Sequence, residues 1–580
     1  MSERRHHSAR RLKRIVSGGQ TGVDRAALDA ARDAGMPAGG WCPAGRRAED
    51  GRIADRYPLE ETASPRYEVR TKRNVRESDG TLILNEGELA GGTKLTAEYA
   101  ASRQKPFLVV QLDLHDATPA RVADWLEAHG IGVLNVAGPR ESKAPGIYGR
   151  SRDFLRRLLH LLEKRSRRER FDRITTFLRG LFPKEYHERI YLVGGSVRDY
   201  LLGSEIRDID LTAALPEKLL SAAGFRPVAA KSSAPIWFRY ELGFGKIEVT
   251  LLGHVGALED DLRRRDFTVN AMAMDLTGTI RDPLGGRSDL RRRRLRACSE
   301  ESFVADPVRI FRAFRFECDG WRLDRPAERL IASRGWGDLL APIPVERFSR
   351  EMLDALGRKE PGRFFQRMTA FGVGCGFLPE LFRMAEIPAG PAEYHPEGDT
   401  HTHALEVLER VAATTDDVAA RFCALFHDLG KLATAPELYP HHYGHDEAGG
   451  AIAKAFCDRL RLSVRLRNAL AGTCRLHTHV NRWEGLRDVT KLRVAEQAVR
   501  NGIESILPLV SAADKPGGAG VPGWEEALEV AGMGAAELGV APDRLDALAP
   551  DARAGFLLQR RIERFRARTA QRSSGDGTQF

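Results

Sequence analysis

At 580 residues the chain is too long for one hydrophobic core, and roughly two to four domains are expected. Hydrophobic residues at 42% and charged residues at 29% are ordinary globular proportions, and no apolar run approaches the roughly 20 residues of a membrane span. A net charge of +10 suits a polyanionic partner, although an arginine-rich chain can be basic without one, and seven scattered cysteines with no CxxC pair argue against a disulfide framework.

The opening MSERRHHSARRLKR is basic but has no apolar h-region or cleavage site, so a cytoplasmic location and no membrane are expected. In the block that follows, RIVSG, GTLIL and PFLVVQL read as buried parallel strands separated by helical patterns. The run RIVSGGQTGVDRAALDAA is a strand, a Gly-rich turn and a helix. Gly18, Gly19, Thr21 and Gly22 offer backbone and hydroxyl donors there, and Asp24 stands at the helix start. LAGGTKLTAEYA repeats the idea at Gly91, Gly92 and Thr93, and two such turns on a parallel sheet are the expected place for a nucleotide-like ligand. With WCPAGRRAEDGRIADRYPL and LNVAGPRESKAPGIY, the block resembles the molybdenum-carrier family, an SLOG-type branch of Rossmann-like proteins related to nucleoside-phosphate hydrolases. Those hydrolases place Glu three residues after the Gly-Thr, where this chain has Thr96. The resemblance therefore implies binding of a nucleotide- or pterin-like ligand rather than hydrolysis, with a scaffold role as the alternative.

The amphipathic SRDFLRRLLHLLEKR closes this block, and the charge-dense KRSRRERFDR reads as the joint to the next. IYLVGGSVRDYLLG is then a strand, the pair Gly194-Gly195 and a helix, which suits a phosphate but also a plain tight turn. In RDIDLTAA, Asp208 and Asp210 lie two apart on an expected strand, so both carboxylates face one side. Carboxylates that close repel unless a cation lies between them, which suits Mg²⁺ with nucleotide phosphates. KIEVTLL brings Glu248 alongside, either as a third ligand or as an exposed strand glutamate.

These segments, with RRRDFTVNAMAMDLTGTIRDPLGGRSDLRRRRLR, SFVADPVRIFRAFRF, VERFSREMLDALGRKEPGRFFQRM and FLPELF, resemble the class II nucleotidyltransferases. That family includes CCA-adding enzymes and bacterial poly(A) polymerases, and the similarity covers roughly residues 188–520. It implies that Gly194, Gly195 and Arg198 line a triphosphate pocket and that Asp208 and Asp210 hold Mg²⁺. Arg265, Asp266 and Asn270 match the segment that grips ribose and phosphates. The implied reaction is attack of a tRNA 3′-hydroxyl on the α-phosphate of CTP or ATP.

Base choice is argued from Asp306 and Arg309, read as sharing one helix face. A carboxylate only accepts and a guanidinium only donates, so the pair fits the amino group and ring nitrogen of cytosine or adenine and rejects uracil and guanine. The alternative is a plain surface salt bridge. Two departures from the family stand out: Ala305 replaces the usual Glu, and only TLLGHVGALEDDLRR separates the Glu248 strand from Arg265. That short loop resembles relatives that add CC alone.

Nine of the 16 histidines fall between His395 and His479, in HPEGDTHTHALEVLERV, RFCALFHDLGK, HHYGHDEAGG and LHTH, followed by SAADK. The order resembles the HD metal-dependent phosphohydrolase domain. It implies that His403, His427, Asp428 and Asp514 ligate a divalent transition metal such as Ni²⁺ or Mn²⁺, with His441, His442, His445 and His477 as candidates for a second metal or for phosphate. Hydrolysis of RNA-end phosphoesters is the implied chemistry.

The expected fold class is multidomain: an N-terminal α/β Rossmann-like domain (1–165), an α+β nucleotidyltransferase head (186–298), an all-α neck and RNA-binding body (299–388), an HD domain (389–520), and a helical C-terminal region with a disordered tail (521–580). The expected function is tRNA 3′-end addition of C and/or A from CTP and ATP, with phosphoesterase activity on RNA ends. A poly(A) polymerase-like tailing enzyme, or a ligand-binding carrier or sensor with a decayed polymerase core, are the alternatives.

Overall fold

Short apolar strands alternating with helices give the first block a five-stranded, all-parallel sheet in the computed structural model, which describes residues 12–114, 117–204, 206, 208–228, 235–515 and 520–575. The strands are β1 (Arg14–Val16), β2 (Ala38–Gly39), β3 (Gly80–Asn85), β4 (Phe107–Gln111) and β5 (Val133–Ala137), in the order β2-β1-β5-β3-β4. All of β3 is buried, as a strand covered on both faces must be. Because β5 inserts between β1 and β3, the turns that follow β1 and β5 meet at one end of the sheet. Gly22 marks that meeting: its φ is +74°, and a Cβ there would lie 2.5 Å from the Pro139 carbonyl oxygen.

Helices α1 (Val23–Asp33) and α2 (Gly91–Ser102) follow the two Gly-rich turns. Helix α3 runs unbroken from Ile147 to Leu181, 35 residues and about 52 Å at ~1.5 Å per residue. The stretch expected as a joint, 164–173, lies inside it. Nothing in KRSRRERFDR breaks a helix, for it has no Pro or Gly, and Arg167 pairs with Glu163 one turn earlier. The first half of α3 buries Phe154, Leu155 and Leu158 in the α/β core, while Phe171, Ile174 and Leu178 enter the core of the next unit.

That next unit is a mixed seven-stranded sheet made of β6 (Ile190–Val193), β7 (Ile209–Ala213), β8 (Arg226–Pro227), β9 (Ile236–Glu241), β10 (Gly245–Leu251), β11 (Ala273–Asp275) and β12 (Ile280–Arg281). Its order is β8-β9-β10-β7-β6-β11-β12. Helix α4 (Gly195–Leu202) follows β6, and α5 (Val308–Glu317) and α6 (Val345–Leu356) lead into the helical body. Phenylalanines lock the body: the ring centroids of Phe311 and Phe348 are 4.9 Å apart, and Phe348 stacks on Phe377 at 4.6 Å.

The last block is helical, with α7 (Thr400–Ala412), α8 (Val418–Phe426), α9 (His445–Arg459), α10 (Val464–Asn481) and α11 (Ile506–Asp514). Asp399, Asp417 and Ser463 cap α7, α8 and α10 with their side chains. The buried Arg421 of α8 joins this block to the body by donating to the carbonyls of Leu356, Arg358, Ala412 and Thr415. One buried apolar cluster runs from Phe171 to Phe565 through head, body and this block. The segment from Arg568, expected as a disordered tail, continues helix α12 (Pro550–Gly575), anchored where Phe565 is 3% exposed. The remaining 576–580 and the basic residues 1–11 lie outside the described residues. Among the described residues no helix is long and apolar enough to cross a membrane.

Candidate functional site

The turn between β6 and α4 backs onto the acidic strand. A Cβ on Gly194, whose φ is +65°, would lie 3.1 Å from an Arg265 guanidinium nitrogen and 3.8 Å from Asp210 Oδ2. Ser196 clasps the two together, its hydroxyl donating to the Asp208 carbonyl (2.9 Å) and accepting from the Asp210 N–H (3.3 Å). Asp208 immediately precedes β7 and Asp210 lies within it, paired in parallel register with Glu248 of β10. Burial raises the Asp210 pKa above the usual carboxylate value; Arg265 opposes the shift, and the carboxylates of Glu248 and Asp208 reinforce it. Burial and the neighbouring carboxylates make the Asp210 charge unfavourable, as for a carboxylate awaiting a cation, although the carboxylates of Asp208, Asp210 and Glu248 do not all lie within 4.8 Å of one another. Glu248 is half-exposed and ion-paired with Lys246.

Arg198, on α4, donates to Asn270 Oδ1 at 2.6 Å, and Asn270 in turn donates to Asp266 at 3.0 Å. Asp266 is also salt-bridged to Arg312 at 3.2 Å. Burial works against the Asp266 charge, but Arg312, Asn270 and the Phe267 N–H outweigh it and hold the pKa below the ordinary value. Both Asp266 and Asn270 are 5% exposed, so they brace Arg198 from behind instead of lining an open surface. Arg265 reaches Asp261 at 2.9 Å.

Asp306 and Arg309 do not share one helix. Proline disfavours helical backbone in the residue before it, and Asp306, just ahead of Pro307, is extended with φ −150° and ψ 93°. The Arg309 guanidinium lies 3.8 Å from Asp306 Oδ2 and is held by the carbonyls of Arg264 (2.8 Å), Arg265 and Ser302. Arg347 of α6 binds Asp306 Oδ2 at 2.7 Å, while Oδ1 is buried with no hydrogen-bond partner.

In the helical block, α7 carries His403, the end of α8 carries His427 and Asp428, α9 begins with His445, α10 carries His477, and α11 ends on Asp514. Their side chains converge. His403 Nε2 is 2.9 Å from Asp514 Oδ1, and His427 Nε2 is 3.5 Å from the same atom and 3.4 Å from Asp428 Oδ2. On the other side of the same carboxylate, Asp428 Oδ1 faces His477 Nε2 at 3.4 Å and His445 Nε2 at 3.6 Å. Lys431 Nζ lies 2.6 Å from Asp428 Oδ2. Gly430 permits this crowding, since a Cβ there would lie 1.7 Å from the His445 carbonyl oxygen. His442 is spent on Thr434 and the Pro388 carbonyl, and the exposed His441 stacks on Tyr443, so neither joins the group.

The imidazoles are oriented for a cation. The Nδ1 atoms of His427, His445 and His477 each lie on a backbone carbonyl, at 2.8, 2.7 and 3.1 Å, so each donates there and turns an Nε2 lone pair toward carboxylate oxygens. His427 Nε2 is buried with no hydrogen-bond partner. Burial disfavours a charged His427, but Asp428 and Asp514 prevail and push its pKa up to about 10. Burial also opposes the charge on Asp428, yet Lys431 and His427 hold it well below the usual range; Asp514 is held down likewise by His403 and His427. A proton therefore stands where a divalent ion fits. Among the described residues, every cluster of His, Cys, Asp or Glu with ligand atoms within 4.8 Å of one another lies in this block.

In the α/β unit the two Gly-rich turns differ. The first is filled from within: the Arg70 guanidinium lies against Gly18 and pairs with the buried Asp24 at 2.8 Å, and Glu49 takes the Thr21 hydroxyl. Burial raises the Asp24 pKa against the pull of Arg70. The second is open, for a Cβ on Gly91 or Gly92 meets nothing within 4 Å. Thr96 points inward and donates to the Gly92 carbonyl. A cavity of about 1060 Å³, lined by Leu12, Met36, Leu126, Arg156 and His160, touches neither turn.

Sequence reasoning missed Arg70, Arg312, Arg347, Glu397 and Asn481. Glu397 holds His403 Nδ1 at 2.6 Å, and Asn481 donates to Asp514 Oδ2 at 2.5 Å. Each partner is remote or lies in a loop, and no local spacing marks it.

Residues 15–159 match the circularly permutated YpsA SLOG family, residues 190–233 and 237–296 the poly(A) polymerase head domain, and residues 400–515 the HD domain. The multifunctional CCA protein of Nitrosococcus oceani is 37% identical over 327 residues, which are 53% of this chain and 78% of that protein. A Syntrophus aciditrophicus SB protein, provisionally assigned as a molybdenum carrier, is 45% identical with a TM-score of 0.25, over 26% of this chain and 95% of that one. The Thermotoga maritima CCA-adding enzyme complexed with tRNA is 22% identical with a TM-score of 0.45, over 65% of this chain and 87% of that one.

Proposed function

This chain belongs to the multifunctional CCA protein family, and from that premise we propose how its residues divide the work of tRNA 3′-end addition. The head and body are the nucleotidyltransferase. Asp208 and Asp210 hold Mg²⁺, with Glu248 alongside. A divalent ion in such a site supplies acidity to the attacking 3′-hydroxyl and charge compensation to the pyrophosphate. The chain itself binds and orients the nucleotide. The Gly194-Gly195 turn and the α4 N-terminus receive phosphates, Arg198 and Arg265 neutralise them, and Asp266 with Asn270 keeps Arg198 in place. Asp306 Oδ1 accepts from the amino group of cytosine or adenine, and Arg309 donates to the adjacent ring nitrogen. The observation that carries this reading is the carboxylate group at Asp210 set against a phosphate-ready glycine turn.

The test is incubation with Mg²⁺, labelled CTP or ATP, and tRNAs ending before CCA, after C or after CC. CTP is expected to extend the first two. Addition of A to the third would make the enzyme complete despite its short 252–264 segment, and its absence would place it with CC-adding relatives. No addition to any tRNA end would refute the assignment.

The HD block is proposed as a phosphoesterase acting on RNA ends such as a 2′,3′-cyclic phosphate. His403, His427, Asp428 and Asp514 hold one transition metal such as Ni²⁺ or Mn²⁺, and Asp428 Oδ1 with His445 and His477 offers a second place. The proposed domain limits are 1–165, 186–298, 299–388, 389–520 and 521–580, and the work is placed in the cytoplasm.

The α/β domain is proposed to bind a nucleotide- or pterin-like ligand at the open Gly91-Gly92 turn. In a thermal-shift screen of nucleotides and pterins, one compound class is expected to raise the midpoint of the intact protein. The shift should vanish in Gly92→Trp, at an exposed position where an added Cβ meets nothing within 4 Å. No stabilising compound in the intact protein, or one that still acts on the variant, would sink this reading.

A further inference from the structure

The buried, partnerless Oδ1 of Asp306 is an acceptor kept free at some cost, because a buried carboxylate oxygen without a donor loses its hydration. A carboxylate rotates about its last bond, so Oδ1 stays in one direction only if Oδ2 is held. Arg309 does not hold it: its guanidinium is tied to the carbonyls of Arg264, Arg265 and Ser302 and stands 3.8 Å from Oδ2. Arg347 does, at 2.7 Å. Arg347 lies in the first turn of α6, whose Phe348 and Met352 are fully buried in the aromatic core of the body. Its backbone is therefore fixed by body packing, and through one charge-assisted bond the body sets the angle of a carboxylate at the edge of the head.

We propose that Arg347 is the positioning residue for base selection: by holding Asp306 Oδ2 it aims Oδ1 at the exocyclic amino group of the incoming nucleotide. This rests on the base-reading role given to Asp306 above. Arg347 is given no contact with the nucleotide, and among the described residues it is the side chain that hydrogen-bonds Oδ2, with Arg309 farther off at 3.8 Å.

The experiment is single-nucleotide addition to a tRNA ending before CCA, with CTP and UTP in competition, by the full chain carrying Arg347→Met or Arg347→Lys. Arg347→Met is expected to raise KM for CTP about tenfold with a smaller change in kcat, and to lower discrimination against UTP about tenfold, the size of one loosened charge-assisted hydrogen bond. Arg347→Lys should recover most of both, because an ammonium still reaches Oδ2. HD phosphoesterase activity should not move, which controls for folding. Asp306→Ala is run in parallel. If Asp306→Ala leaves base choice intact, the base-reading role fails and this proposal with it. If Asp306→Ala loses discrimination while Arg347→Met keeps both KM and discrimination, Arg347 alone is wrongly assigned. Adding Arg347→Met to Asp306→Ala should cost nothing more; a further tenfold loss would mean that Arg347 acts elsewhere, and would overturn the proposal.

Discussion

Replacing Asp208 and Asp210 together by alanine is expected to lower nucleotide addition by at least about a thousandfold, the scale seen when a main electrostatic element of an active site is removed. The folded chain should survive the change. Asp210 has a raised pKa because burial, Glu248 and Asp208 all disfavour its charge. A carboxylate whose pKa is higher in the folded state destabilises that state once it ionises, so at neutral pH its removal relieves the fold. The double variant should therefore unfold at the same temperature as the parent or slightly above it, while addition of labelled CTP to tRNA disappears. Loss of activity without loss of stability marks a charge kept for a ligand. If the variant still extended tRNA at a comparable rate, the reacting metals would have to sit elsewhere and the head assignment would fall. If activity and stability were lost together, the carboxylates would be structural, and the burial argument for a cation would fail.

Much of this site was legible in the sequence because its chemistry is local. Asp208 and Asp210 announce themselves by two-residue spacing, and the Gly194 turn by a strand running into a helix. The HD ligands come from separate helices, yet their residue types keep a recognisable order along the chain. What stayed hidden depends on long-range packing. Asp306 meets Arg347 across 41 residues and Asp24 meets Arg70 across 46, and neither pair has a periodic signature. The stretch 164–173 lies between the residues buried in the first core, up to Leu159, and those buried in the next, from Phe171, but it does so as unbroken helix, because charge alone does not stop a helix with Arg167 and Glu163 one turn apart. Asp306 and Arg309 were placed on one helix because spacing was read without the steric effect of Pro307 on the residue before it. His441 and His442 show the opposite failure: residues of the right type were present, but one is exposed and the other is committed to Thr434 and Pro388.

His427→Ala is expected to abolish phosphoesterase activity on a 2′,3′-cyclic phosphate end, by at least about a hundredfold, and to leave tRNA extension within about twofold of the parent. The asymmetry follows from the architecture. His427 follows directly on α8 and faces Asp428 and Asp514 in the helical block, whereas Asp208 and Asp210 stand at β7 of the seven-stranded sheet. His427→Ala removes an imidazole whose Nε2 faces only the carboxylates of Asp428 and Asp514, at 3.4 and 3.5 Å, which are themselves proposed metal ligands, so the chief loss should be metal affinity. Metal content measured by elemental mass spectrometry should fall in step with activity. Glu397→Gln keeps every direct ligand but weakens the bond that orients His403, and should reduce metal affinity about tenfold to a hundredfold. A chelator should silence the parent phosphoesterase, with recovery on adding Ni²⁺ or Mn²⁺ and little on adding Mg²⁺, because imidazole nitrogens favour the softer ions. Undiminished metal content in His427→Ala would refute the ligand assignment. Loss of tRNA extension alongside phosphoesterase activity would show that the two sites do not work independently, and that the continuous core from Phe171 to Phe565 couples them.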